Sequence, residues 1–249
     1  MKFFVLIVTI FILSCCSSEN KDNLIFLRQA ITRNQNLIVK RQVHKPMTVL
    51  EKSLIDAGLV DVSLLDRNII VNLKYATTDN FLGINLYGDF NKCYLQPDVA
   101  DKLINAQQYL NEIKPGYHLL VLDAARPRSV QQIFWDTLKM PVSEKVKFVA
   151  NPKNGSLHNF GAAVDITISD ENKVPLDMGC PYDFIGELAY SVSEEKLLSE
   201  GKLTQLQVDN RKLLRTVMYK AGFFNIQTEW WHFNSCRREE AEKNYKMIE

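Results

Sequence analysis

The stretch "SLHNFGAAVDITI", Ser156 to Ile168, divides into a polar turn containing a glycine and an alternating apolar run. In the run, Val164, Ile166 and Ile168 share one face and Asp165 and Thr167 the other, the period-two pattern of a strand with one face in a core. An aspartate on such a strand needs a partner, because an unpaired carboxylate among aliphatics is costly. His158 precedes it by seven residues, with glycine and small residues between. A metal ion would answer for both side chains, but two ligands do not make a site.

A second segment, "TEWWHF" (Thr228 to Phe233), supplies what is missing. Zinc takes nitrogen and carboxylate donors, and catalytic sites give it three protein ligands while leaving a position for water. His158, Asp165 and His232 make such a set. Glu229 is then a carboxylate close to the metal but surplus to ligation, where a general base belongs. The two tryptophans would dry the site and strengthen charge interactions within it. A spacing of three puts Glu229 and His232 on one side of a helical turn but not of a regular strand, so a bend or strand end is expected. His44, in a tether-like segment, and His118, at a strand entrance, are poor candidates for the metal.

Outward from these segments, "NIIVNLKYAT" alternates Ile69, Val71, Leu73 and Tyr75 as a strand does. "QPDVADKLINAQQYLNEIKPG" places Val99, Leu103, Ala106, Leu110 and Ile113 on one helical stripe, with Asp98 as the expected cap and Pro115-Gly116 as the stop. "YHLLVLDAARP" reads as a buried strand ending at Arg126-Pro127. A helix capped by Ser129 follows in "SVQQIFWDTLK", and another, closed by Gly222, in "DNRKLLRTVMYKAGF". "FFNIQTEWWHF" returns as a strand. Helices and strands mix without a steady βαβ rhythm, so the expected class is α+β: a mostly antiparallel central sheet flanked by helices, with the zinc site in a cleft on the sheet.

With 249 residues, 46% of them hydrophobic, the chain can bury one good core. Its formal charge of +1, without a long basic run, argues against nucleic acid as a partner. Residues 1–16 read as a signal peptide: Lys2, then the apolar run "FFVLIVTIFIL", too short to span a bilayer as a finished helix. Its end resembles a bacterial lipoprotein signal with Cys15 as the lipidated residue and Cys16 as a second choice. Residues 17–46 read as a polar tether and 47–249 as the domain. The protein is therefore expected in the cell envelope, in contact with membrane through an N-terminal lipid anchor. Cys93, Cys180 and Cys236 remain, allowing at most one disulfide within the chain.

The motifs now assembled resemble those of the D-alanyl-D-alanine dipeptidases, the zinc peptidases that include the vancomycin-resistance dipeptidase. "SLHNFGAAVD" looks like the family's S-x-H-x-x-G-x-A-x-D and "EWWH" its E-x-W-H; "KYATTDNFLG", "DAARP" and "LDMGCPYDF" are similar to family segments in the family order. The likeness runs from about Asp66 to Phe233. It implies one zinc ion per chain held by His158, Asp165 and His232, with Glu229 as acid/base and Arg126 steadying the scissile carbonyl. It further implies that Asp183 receives the substrate's α-ammonium and that Ser156 and Tyr75 line the dipeptide pocket. Ala125 departs from the pattern, where the family usually has an aromatic, and a roomier pocket is one consequence to look for. The implied reaction is hydrolysis of D-Ala-D-Ala or a close relative. Alternatives are a D,D- or L,D-carboxypeptidase trimming peptidoglycan stems and a non-catalytic lipoprotein that binds wall peptide.

Overall fold

The computed structural model describes residues 48–146 and 149–249; the signal segment with Cys15, the tether and His44 lie outside the described residues. The chain enters through helix α1 (Val49–Asp56), strand β1 (Val60–Asp61), helix α2 (Val62–Leu65) and strand β2 (Ile70–Val71). Strand β3 (Tyr94–Leu95), helix α3 (Pro97–Ile113), strand β4 (His118–Asp123), and helices α4 (Arg128–Thr137) and α5 (Val142–Lys145) follow. After a 3-10 turn at Leu157–Phe160 come strand β5 (Ala163–Ser169), helices α6 (Glu194–Ser199) and α7 (Gln205–Lys220), strands β6 (Phe224–Asn225) and β7 (His232–Asn234), and helix α8 (Arg238–Asn244).

Five strands form the main sheet in the order β2-β4-β5-β7-β6. The β2/β4 pair is parallel and the other three pairs are antiparallel, so the sheet is mostly antiparallel. Val164, Ile166 and Ile168 are fully buried in the core with Val99, Leu103, Ala106 and Leu110 of α3, which lies against β4 and α7. Burying those stripes holds the layers together, at roughly 25 cal/mol per Å² of apolar surface removed from water. Ile113, the last member of the expected α3 stripe, is 38% exposed because the helix ends beside it at Lys114.

Several local expectations are corrected. The run from Ile69 to Tyr75 pairs only at Ile70–Val71; a 3-10 turn at Lys74–Ala76 then takes Tyr75 out of the sheet. The α3 cap is Gln96, with Pro97 in the first turn, where its missing N–H costs nothing. Asp98 instead accepts the Tyr245 hydroxyl at 2.6 Å. Helix α4 starts at Arg128 after Pro127, so Ser129 is inside it. Helix α7 begins four residues before the quoted run, where Thr204 and Gln207 cap each other. Gly222 closes that helix at φ +85°, as read. Cys93, Cys180 and Cys236 are all buried free thiols.

Candidate metal centre and cleft

Strand register builds the floor of the site. Asp165 on β5 stands opposite His232 on β7 and, on its other side, opposite Asp123 on β4. The β4/β5 register slips by one residue between Val121 and Asp123. That irregularity sets Asp123, not Leu122, against Asp165, because one extra residue in a strand turns the following side chain to the other face. The segment from Phe224 to Asn234 is a hairpin with a turn between β6 and β7, so the expected bend near Glu229 is present.

His158 comes to this floor from the 3-10 turn before β5. Gly161 ends that turn at φ +64°, and a Cβ there would meet Leu59 Cδ2 at 2.7 Å, so both the conformation and the space require glycine. The turn is laced to the Arg126 loop: Arg126 N–H donates to His158 O at 3.0 Å, and Asn159 Nδ2 donates to Arg126 O at 2.7 Å. Asn159 Oδ1 in turn accepts Ser156 N–H at 2.6 Å.

Three donor atoms converge. His158 Nε2 is 3.2 Å from Asp165 Oδ1 and 3.1 Å from His232 Nδ1, and His232 Nδ1 is 3.0 Å from Asp165 Oδ1. Among the described residues this is the group of three metal-ligating side chains brought together. The outer ring nitrogens are spoken for. His158 Nδ1 reaches Ala124 O at 2.7 Å, a bond for which the ring must donate, and His232 Nε2 reaches Asn234 Oδ1 at 2.8 Å. These outer bonds turn His158 Nε2 and His232 Nδ1 inward, toward each other and toward Asp165 Oδ1. Ligands on a tetrahedral zinc with bonds of about 2.0–2.1 Å stand roughly 3.4 Å apart, close to what is found here. The donor set fits a divalent metal.

Electrostatics agree. Burial pushes the Asp165 carboxyl up, but the two imidazoles beside it outweigh burial and hold it well below the usual carboxylate range. Its second oxygen accepts the Tyr182 hydroxyl at 2.9 Å, which leaves Oδ1 to the triangle. Glu229 is outside the triangle, with Oε2 3.9 Å from His232 Nδ1. A quarter of its side chain, 25%, stays open to the cleft, yet the protein around it raises its carboxyl to about 7, with Asp165 adding to the effect.

The cleft above the floor has a volume of about 450 Å³, and His158, Asp165, His232, Glu229, Arg126, Asp183, Ser156 and Tyr75 all line it. Every site residue read from the sequence within the described residues is thus at one place. Arg126 is clamped: Nε and Nη2 donate to Asp123 Oδ2 at 2.8 and 2.5 Å, Nη1 donates to Gln131 at 3.0 Å, and the guanidinium lies 4.6 Å from the Phe134 ring centre. Nη2 is also 3.5 Å from Asp165. The ion pair with Asp123 and a role in the cleft therefore coexist. Asp183, at φ +62°, accepts the Tyr75 hydroxyl on both oxygens, at 2.9 and 3.1 Å. Burial, then the Asp165 charge, hold its carboxyl well above the usual range.

The reading of the sequence missed Tyr182, Asn159, Asn225, Gln131 and Asn234, which orient the site residues. A single polar side chain far away in the chain carries no periodic signal. Two expectations change. Trp231 lines the cleft, whereas Trp230 points away, 5.9 Å from the Arg211 guanidinium, so one tryptophan dries the site. Ala125 is packed in the core and is not part of the cleft wall, so the missing ring does not by itself enlarge the pocket. His118 is away from the site, its Nδ1 2.9 Å from Asn68 O.

A family model described as D-ala-D-ala dipeptidase matches residues 55–248. The chain belongs to this family. A D-alanyl-D-alanine dipeptidase of Escherichia coli (strain K12) is 30% identical over 175 residues, covering 70% of this chain and 83% of its own. That of Synechocystis sp. (strain ATCC 27184 / PCC 6803 / Kazusa) is 31% identical over 168 residues, covering 56% of this chain and 68% of its own. That of Enterococcus faecium is 27% identical over 175 residues, covering 64% and 82%. The span matched to the dipeptidase family contains the donor triangle, Glu229, and the rest of the cleft residues named above.

Proposed function

We propose that this member of the D-Ala-D-Ala dipeptidase family is a zinc-dependent hydrolase of D-Ala-D-Ala or a closely related dipeptide. The observation that carries the reading is the convergence of His158 Nε2, Asp165 Oδ1 and His232 Nδ1 within 3.0–3.2 Å of one another. Bound there, zinc supplies Lewis acidity and brings a water pKa near 7. Glu229, beside the triangle but outside it, takes the proton of the attacking water and returns it to the leaving amine. Arg126, immobilised by Asp123 and Gln131, presents fixed positive charge to the carbonyl oxygen as it becomes negative, and its rigidity means no reorganisation at the moment of attack. Asp183 receives the substrate ammonium; the arriving cation supplies the countercharge its buried carboxyl lacks in the free cleft. Ser156 and Tyr75 shape the walls around the dipeptide.

The test is metal content and a substrate panel on the purified domain: D-Ala-D-Ala, L-Ala-L-Ala and a stem pentapeptide. One zinc per chain with preference for free D-Ala-D-Ala supports the reading. Preference for the pentapeptide would move it to a carboxypeptidase, and absence of any turnover with zinc bound to a binding protein. Export and lipid attachment at Cys15 belong to the same proposal and rest on the apolar run and Cys15 in residues 1–16. Loss of radiolabelled palmitate from Cys15→Ser, with Cys16 left in place, is the result expected there.

A further inference from the structure

The turn that carries Glu229 is short and has to hold its carboxyl beside, but not in, the donor triangle. Its neighbours have anchors elsewhere. Trp230 N–H donates to Ala189 O at 3.0 Å, Trp231 O accepts Ile166 N–H at 2.9 Å from β5, and His232 pairs with Asp165 across β5/β7. Glu229 has no such tie to β5 or to Ala189 among the described residues. Its carbonyl is held from within the hairpin by Asn225, whose Nδ2 donates to Glu229 O at 2.8 Å and to His232 O at 2.8 Å, with Trp230 O at 3.5 Å. One amide thus spans the backbone at the residue read as the base and the backbone at the residue read as a ligand.

The orientation of that amide follows from chemistry. All three neighbours are carbonyl oxygens, so the NH2 end must face them. The price is visible at the other end, since Asn225 Oδ1 is buried with no partner. A side chain kept in that state holds the turn in one shape rather than adding to an already satisfied network.

We infer that Asn225 is the positioning residue for Glu229: its side-chain amide sets the distance between the proton-transferring carboxylate and the donor triangle. The inference rests on the role of Glu229 proposed above. Because His232 is fixed independently by the sheet, removing the amide moves the base and leaves the metal site intact.

Asn225→Ala and the isosteric Asn225→Asp, which keeps the volume but presents an anion to the carbonyls, test this alongside Glu229→Gln, all loaded with stoichiometric zinc. Turnover of D-Ala-D-Ala, KM, zinc affinity and Tm are measured. Displacing a catalytic group by about 1 Å costs about 100-fold in rate, so kcat is expected to fall by about that much in both Asn225 variants, with KM and zinc affinity within about threefold of the parent. Asn225→Ala placed on Glu229→Gln is expected to lower kcat no further, since the amide acts through that carboxylate. A kcat within threefold of the parent in whichever Asn225 variant folds overturns the inference. So does a loss that adds fully to that of Glu229→Gln, or one that tracks zinc affinity. Parent-like kcat in Glu229→Gln overturns the underlying reading of Glu229 instead.

Discussion

Replacing Asp123 by Asn tests how the cleft keeps a buried guanidinium in place. Asp123 is fully buried and Arg126 nearly so, with side-chain exposures of 0% and 9%, so solvent does little to screen the pair. Asp123 Oδ2 takes two of the guanidinium's hydrogen bonds, and Oδ1 takes the Tyr87 hydroxyl at 2.9 Å. Breaking a buried ion pair from one side costs about 3–5 kcal/mol, because the charge left behind has lost its partner. The Asn carbonyl can still accept one of those bonds, returning about 1 kcal/mol. A net loss of about 3 kcal/mol is expected. For a domain of about 200 residues, where 1 kcal/mol moves Tm by about 2–4 °C, that is a fall of roughly 6–12 °C. The measurement is urea and thermal unfolding at fixed excess zinc, since bound metal adds its own stability. The companion is the double variant Asp123→Leu with Arg126→Met, which removes both charges and should recover much of the loss. A loss below 1 kcal/mol in Asp123→Asn, or a double variant less stable than the single, would refute the argument that this pair is energetically coupled.

Three further outcomes are expected. Tyr182→Phe frees Asp165 Oδ2 from its hydroxyl and should weaken zinc binding by about 10–100-fold in a competition titration against a chromophoric chelator, the usual effect of removing a partner of a ligand. Gly161→Ala should lower stability by at least about 1 kcal/mol in denaturant melts, since it combines a left-handed backbone with a contact on Leu59. At Glu51, bonds from Lys92 and Tyr94 hold the carboxyl below the usual glutamate range against the effect of burial. A depressed folded-state value gives stability above the unfolded value, lost as pH falls through the folded one. Glu51→Gln should therefore cost about 1 kcal/mol at pH 7, discounted because Lys92 is half exposed, with the difference shrinking below about pH 4.

The ligand set was legible because its signal is chemical: imidazoles and acids at odd places in apolar runs ask for a partner wherever they fold. The bend at Glu229 was legible for a similar reason, since a spacing of three contradicts a strand. The starts of α3 and α4 were not, because Pro97 and Pro127 open them with no side-chain cap hydrogen bond, which removes the usual polar marker. The short pairing of Ile70–Val71 was hidden as well. Alternation continues through Leu73 and Tyr75 while the backbone turns away, since core packing alone rewards the same pattern.

What the chain determines by itself is local: the alternation that makes β5, the stripe that makes α3, the left-handed glycines at 161 and 222, and the kinds of donor atom available. What only the tertiary structure decides is coincidence in space. The slip of β4 that sets Asp123 against Asp165, and the β5/β7 pairing that sets His232 there too, are agreements between strands separated by dozens of residues. So are the bonds from Asn159 to Arg126 and from Tyr182 to Asp165. Register is settled when whole faces are buried together, and no window of sequence contains both sides of that bargain.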